Sequence, residues 1–310
     1  MVKGGNFKNI LYLSITVLIW GIAFVSQSKG MECMKAFTFM SARNILAVLV
    51  LLPLVIARLK QGIINLKPTV AGGILCGVAL SVADYFQNLG ISMTSVGKTG
   101  FITALYIIFT PLLGVFLHKR VGMKIWFCTL LAVVGMYFIC ITENFSVNMG
   151  DIYVLICAVL FAVHILVIDR YVKDCDGVVL SFVQFFACAV ICTFMSLIFE
   201  KPTAGQLKEG LIPILYAGIL SSGVGYTLQT VGQKGLNPTV AALILSMESV
   251  VAVIAGYLAY SLGILNTDQS LTTRQLLGCG IVFIAVILVQ LPALNERKLA
   301  YGKNSVEELQ

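Results

Sequence analysis

Five ionisable side chains, Arg43, Asp84, Lys98, His164 and Glu248, stand within or at the mouth of long apolar runs. A charge at the centre of a bilayer costs at least about 2.5 kcal/mol on insertion scales, so an ionisable group there marks a candidate site. Glu248 shares a helical face with Ala241, Ala252, Ala255 and Ala259, small neighbours that leave room for a solute or a close helix. It reads as a group that binds a substrate amine or a proton, or else as a neutral acid bonded between helices. Asp84 lies one turn from Gln87 and Asn88, on a stripe continued by Ser81 and Gly77. Arg43 falls at a comparable depth and Lys98 at the mouth of its run, and opposite charges at equal depth offset one another's desolvation. Asp84 with Arg43 or Lys98 therefore reads as a structural pair, or as a gate or vestibule whose cation receives a carboxylate.

His164 reads as a donor bridging helices or as a proton relay. Gln229, Gly225, Ser222 and Gly218 form a stripe at spacings of 4, 3 and 4, which on an α-helix lines one face. Trp20 aligns with Thr16, Phe24 and Gln27 and lines a pathway or anchors the chain in the membrane. The candidate substrate-binding set is thus Glu248, Gln229, Gln87, Trp20, Ser222 and His164, with Asp84, Arg43 and Lys98 at a gate or vestibule.

The elements that must hold these groups are ten apolar stretches of about the length a bilayer requires. They run approximately over 9–28, 38–57, 69–89, 96–117, 125–141, 152–168, 179–199, 211–232, 238–262 and 276–291. Hydrophobic residues make up 59% of the chain and charged residues 11%, where a soluble domain carries about 25% charged. The gaps are too short to fold as separate soluble domains. The first stretch follows Lys3 and Lys8 without a small-residue cleavage site, which marks a retained helix.

The net charge of +7 orients the chain. With both termini in the cytoplasm, the inner segments hold Lys3 and Lys8, then Arg58, Lys60 and Lys67, then Lys119, Arg120 and Lys124. Arg170, Lys173, Lys234, Arg297, Lys298 and Lys303 complete the inner set. The outer segments hold only Lys29, Lys35, Lys98, Lys201, Lys208 and Arg274. This is the bias expected of short cytoplasmic loops, and it argues against nucleic-acid binding. Seven of the nine cysteines fall in apolar runs, where they act as small hydrophobes.

Gln87 and Gly90 recur as Gln229 and Gly232 at an offset of 142, each followed by a long span rich in small residues. Five spans precede and five follow a division near residue 144, which predicts domains 1–144 and 145–294 with a tail at 295–310. Because five is odd, the second half enters the membrane from the opposite side. The expected architecture is all-α and integral to the membrane, with ten transmembrane helices in two inverted five-helix repeats. Such halves exchange inward-open and outward-open states around a midplane site.

Trp20, Gly21 and Phe24, the run Gly97 to Tyr106, and Ala241 to Glu248 together resemble the EamA family of the drug/metabolite transporter superfamily over residues 10–291. The resemblance implies a ten-helix permease or exporter of metabolites, often amino acids. The chain departs from it at Ser249, where the family often has Pro. It departs again at Leu117 to Arg120 and Tyr260 to Gly263, where a Gly-Glu pair is common.

No Gly-rich loop ending in Gly-Lys-Ser/Thr, no His-Glu-x-x-His and no Gly-x-Ser-x-Gly occurs. ATP-driven transport within this chain is excluded. Two histidines argue against a metal site, and no cofactor is called for. The reading is a transporter of small polar metabolites, most simply amino acids or related compounds, in a bacterial inner membrane, with the lipid bilayer and a small solute as partners. Proton coupling and a homodimer are left open. A nucleotide-sugar or phosphorylated-metabolite carrier is the alternative, and it requires Arg43 and Lys98 to face the cavity. A rival of another class is an intramembrane enzyme on a lipid-linked substrate, using His164 and Asp169.

Overall fold

The computed structural model describes residues 4–62, 65–118, 121–140, 148–266, 269–270 and 272–291. The division at 144/145, the tail at 295–310, Lys119 and Arg120 lie outside the described residues. Lipid offers no hydrogen bonds to a backbone, so a spanning chain satisfies its own amides as helix. The described residues are accordingly helical almost throughout. They form α1 (Gly4–Cys33), α2 (Ala36–Lys60), α3 (Leu66–Ile91), α4 (Val96–Ala104), α5 (Tyr106–Phe116), α6 (Met123–Cys140) and α7 (Met149–Tyr171). After these come α8 (Gly177–Phe199), α9 (Ala204–Glu209), α10 (Leu211–Leu215), a π-helical segment (Tyr216–Gly225), α11 (Tyr226–Gln233), α12 (Pro238–Leu245), α13 (Glu248–Ser261) and α14 (Thr273–Gln290).

Helix starts coincide with residues able to satisfy the free amides of a first turn. Asn148 and Asp151 form a capping box on α7, Asp176 accepts from Val178 and Val179 on α8, and Asn237 accepts from Thr239 on α12. The α2 N-terminus has no cap of its own. Glu200, at the end of α8, supplies it by accepting from the Phe37 amide (3.0 Å) and the Thr38 amide (2.7 Å).

Among the described residues, eight helical stretches are long and apolar enough to cross a membrane. Met123–Phe138 and Thr273–Val289 are apolar but shorter. These two lie within α6 and α14, which pack against each other, with Gly135 so close to the Gly278 carbonyl that an added Cβ would stand 2.8 Å from it. The expectation of ten spans therefore meets eight full-length ones and one shorter apolar pair.

The helices pair in a definite pattern. α3 packs on α7 and α8, α1 on α13 and on the α10–α11 stretch, and α2 on α8 and the π-helical segment. Gly72 meets Tyr171 while Gly90 meets Val154, so α3 and α7 run antiparallel. Gly73 meets Val183 and Gly77 meets Ala187, so α3 and α8 run parallel. At Gly77 an added Cβ would stand 2.7 Å from the Gln184 carbonyl, and only glycine permits that approach. The α2–α8 seam is held by hydroxyl pairs, Thr38 with Ser196 at 2.9 Å and Ser41 with Thr193 at 2.7 Å. Polar contacts of this kind join helices where lipid supplies no hydrophobic drive. Leu49, Leu52, Val78, Phe194 and Leu197 are among the many large apolar side chains left on the outside, a surface suited to hydrocarbon.

Candidate functional site

Two long spans carry a tightened turn at their middle. Between α4 and α5 the Leu105 amide bonds the Ile102 carbonyl (3.1 Å), and between α12 and α13 the Met247 amide bonds that of Ile244 (3.2 Å). These i to i+3 bonds narrow the helix locally. The first residue after each turn is a polar one aimed into the bundle, Tyr106 opening α5 and Glu248 opening α13. Where the family resemblance led us to expect Pro, the Ser249 hydroxyl bonds the Ser246 carbonyl at 2.7 Å.

Glu248 and Tyr106 line a small pocket of about 20 Å³, room for one water. Five of its eleven lining residues are aromatic: Trp20, Phe24, Phe161 and Tyr226 join Tyr106. Trp20 and Tyr226 have ring centroids 4.4 Å apart. The Trp20 indole donates to the Ser221 carbonyl at 3.4 Å. Across the pocket, Gln27 Nε2 donates to Gln87 Oε1 (3.1 Å) and Gln87 Nε2 donates to Thr103 Oγ1 (3.2 Å). The Tyr106 hydroxyl neighbours the Glu248 carboxyl. Neither that hydroxyl nor Glu248 Oε1 has a well-formed hydrogen bond among the described residues.

Behind Tyr226 lies a buried ion pair. Arg43 Nη2 bonds Asp84 Oδ2, and the Tyr226 hydroxyl donates to Asp84 Oδ1 at 3.4 Å. The Arg43 and Asp84 side chains are 0% and 1% exposed, so the pair is removed from water entirely. A second, larger cavity of about 780 Å³ opens at the end of the bundle where α1, α3 and α8 finish, among Phe37, Tyr85, Asn88 and Glu200. Tyr85 and Asn88 face this cavity while Gln87 faces the pocket, so the two voids flank one turn of α3.

Residues 7–141 and 148–291 each match the EamA-like transporter family. The chain belongs to the EamA-like transporter family. An uncharacterized transporter of Archaeoglobus fulgidus is 29% identical over 286 residues, covering 91% of this chain and 85% of that protein. A second uncharacterized transporter from the same organism is 21% identical over 295 residues, covering 92% and 99%. A crystal structure of another protein superposes with a TM-score of 0.70 at 16% identity, covering 94% of this chain and 98% of that one, and so shares the fold. This EamA-like protein is an integral membrane transporter, with a small molecule as its substrate and the bilayer as its surroundings.

Several residues expected from the sequence lie together in this EamA-like protein. Glu248, Gln87 and Trp20 line the pocket, while Arg43 and Asp84 pair beside it. Others fall elsewhere. Lys98 is not brought to Asp84: its ammonium bonds Asp151 at 2.6 Å, because Asp151 caps α7 at the level where α4 begins. Arg43 and Asp84 are not among the residues that line the large open cavity. Ser222 does not line the pocket and Ser221 does, because the π-helical segment adds a residue per turn and shifts the stripe drawn on an α-helix. Gln229 is buried on α11 outside the pocket lining, with its Oε1 unpartnered among the described residues. His164 Nε2 is bonded to Gln184 Oε1 at 2.8 Å, and its ring stands edge-on to Phe161 and Tyr226, one layer behind the pocket wall.

Tyr106 and Tyr226 were missed as site residues. A signal for both existed: adding 142 to Asp84 gives Tyr226, and adding 142 to Tyr106 gives Glu248.

Proposed function

We propose that this transporter works by alternating access between two five-span halves, residues 1–144 and 145–294, related by a pseudo-two-fold axis in the membrane plane. In this reading α6 and α14 complete the count of ten spans, at 18 residues each. The observation that carries the reading is the meeting of counterparts. Asp84 bonds Tyr226, a residue 142 positions away, and Tyr106 adjoins Glu248 at the same separation. A residue that touches its own repeat counterpart lies on the axis relating the repeats. Further support comes from the helix pairing, which survives exchange of halves: α3 on α7 answers to the α10–α11 stretch on α1, and α1 on α13 answers to α7 on α4 and α5. Interrupted helices at the repeat interface are where secondary transporters hold substrate.

The proposed solutes are small polar metabolites with an amino group, amino acids or related compounds, met by Glu248 and by Gln27 and Gln87. Glu248 is the proposed carrier of a coupled proton. The distribution of Lys and Arg supports both termini in the cytoplasm, short loops and a brief charged tail suit a bacterial inner membrane, and in this reading the 780 Å³ cavity lies on the outer side. A phosphorylated-solute carrier is disfavoured because Arg43 and Lys98 are each engaged by an acid away from the pocket.

Counterflow in proteoliposomes tests the reading. Vesicles loaded with unlabelled amino acids and amines are expected to accumulate labelled solute transiently above protein-free vesicles, because a carrier exchanges one solute for another. Equilibration without overshoot, or no entry across the panel, would remove it.

A further inference from the structure

We propose that the central pocket is built for a protonated amine that carries an apolar or aromatic body and no carboxylate. The inference rests on the transport reading for its biological meaning and narrows its solutes to amines, setting amino acids aside. It stands on three features of the pocket. The first is charge. Glu248 is the one acidic or basic side chain among the described residues lining the pocket. Arg43 is held by Asp84, and Lys98 by Asp151. A solute carboxylate would enter beside a like charge with no cation to receive it, and burying a charge unpaired is costly. The Ser249, Val250 and Val251 amides at the start of α13 bond back to Ser246 and Met247 and so offer an anion no free donors.

The second feature is the ring wall. Trp20, Phe24, Tyr106, Phe161 and Tyr226 line the pocket together with Glu248, and the faces of such rings attract cations. The third is the set of polar atoms left without a partner. Gln27 Oε1 and Glu248 Oε1 are acceptors on residues 5% and 3% exposed, and neither has a well-formed hydrogen bond among the described residues, although the Tyr106 hydroxyl adjoins Glu248. An ammonium has N–H donors for both, and a carboxylate has none. The 20 Å³ now open admits a water and no more, so entry of the amine requires the walls to part.

The test is calorimetric titration of the full chain in nanodiscs at neutral pH with three probes of one skeleton: 2-phenylethylamine, L-phenylalanine and 3-phenylpropionate. The amine is expected to bind, the amino acid at least tenfold more weakly, and the acid not detectably. Glu248→Gln is expected to weaken the amine at least tenfold. Phenylalanine binding as tightly as the amine, or an amine that does not bind, overturns the inference, and this ranking on the unaltered protein does not depend on the variant folding. Phenylalanine counterflow together with absent amine binding would overturn the amine pocket and leave transport standing. Amine binding without counterflow of any solute would do the reverse.

Discussion

Asp84→Asn is expected to lower the unfolding free energy of the purified protein by about 3–5 kcal/mol, the usual cost of removing one partner from a buried pair. Arg43 is fully buried, and its Nε and Nη1 already lack partners among the described residues. Its compensation among the described residues therefore comes chiefly from Asp84, helped by the Tyr226 hydroxyl on the far carboxylate oxygen and by the Phe39 ring, whose centroid lies 6.0 Å from the guanidinium. Removing the cation as well should restore much of the loss, since an apolar side chain replaces a buried charge at little cost. Asp84→Asn combined with Arg43→Met is accordingly expected to be more stable than Asp84→Asn alone. Denaturant unfolding in detergent measures the cycle. Losses that simply add would show that the two charges do not depend on each other.

The second large effect is expected in transport rather than stability. Glu248→Gln keeps the shape and hydrogen-bonding capacity of the side chain and removes its ability to exchange a proton. The variant should therefore still exchange solute at equal pH on both sides, but only at solute concentrations raised at least tenfold to offset its weaker binding. Coupling one proton to one solute supports about a tenfold gradient per pH unit, because one unit is 1.36 kcal/mol. The unaltered protein should build that gradient in proteoliposomes and the variant should build none. Undiminished pH-driven accumulation by Glu248→Gln would take the proton away from this residue.

What could be read from the sequence followed from how conspicuous each residue is in lipid. Glu248, Asp84 and Arg43 stood out because a charge in an apolar run demands a reason, and the match in depth anticipated the Arg43–Asp84 pair. Tyr106 and Tyr226 did not stand out, because a tyrosine in a membrane span is ordinary by composition. Their place follows only once the 142-residue offset is applied to the acids and not merely to Gln87 and Gly90. The exchange of Ser222 for Ser221 could not be foreseen, since nothing in Tyr216–Gly225 announces π-helical bonding. Lys98 was misdirected for a related reason: depth matching within spans overlooked Asp151, whose position is set by its role in capping α7.

The pocket's aromatic character was also only partly legible. Trp20 was visible as a pathway residue, but Phe161 and Tyr226 join it through packing between α1, α7 and α11 that periodicity on any single helix cannot report. The same holds for Gln27 and Gln87, found separately as stripe residues and joined by a hydrogen bond between α1 and α3.

The central claim is that the Glu248 pocket is reached from one side of the membrane at a time. Ser221→Cys places a thiol on its wall, at a residue 2% exposed. With Cys33, Cys140 and Cys279 replaced by alanine to lower background labelling, a membrane-impermeant thiol reagent is added to one face of oriented vesicles and then to the other. The account predicts labelling from each face, with conditions that raise labelling from one lowering it from the other. Access from a single face under every condition, or from both at once, would contradict it.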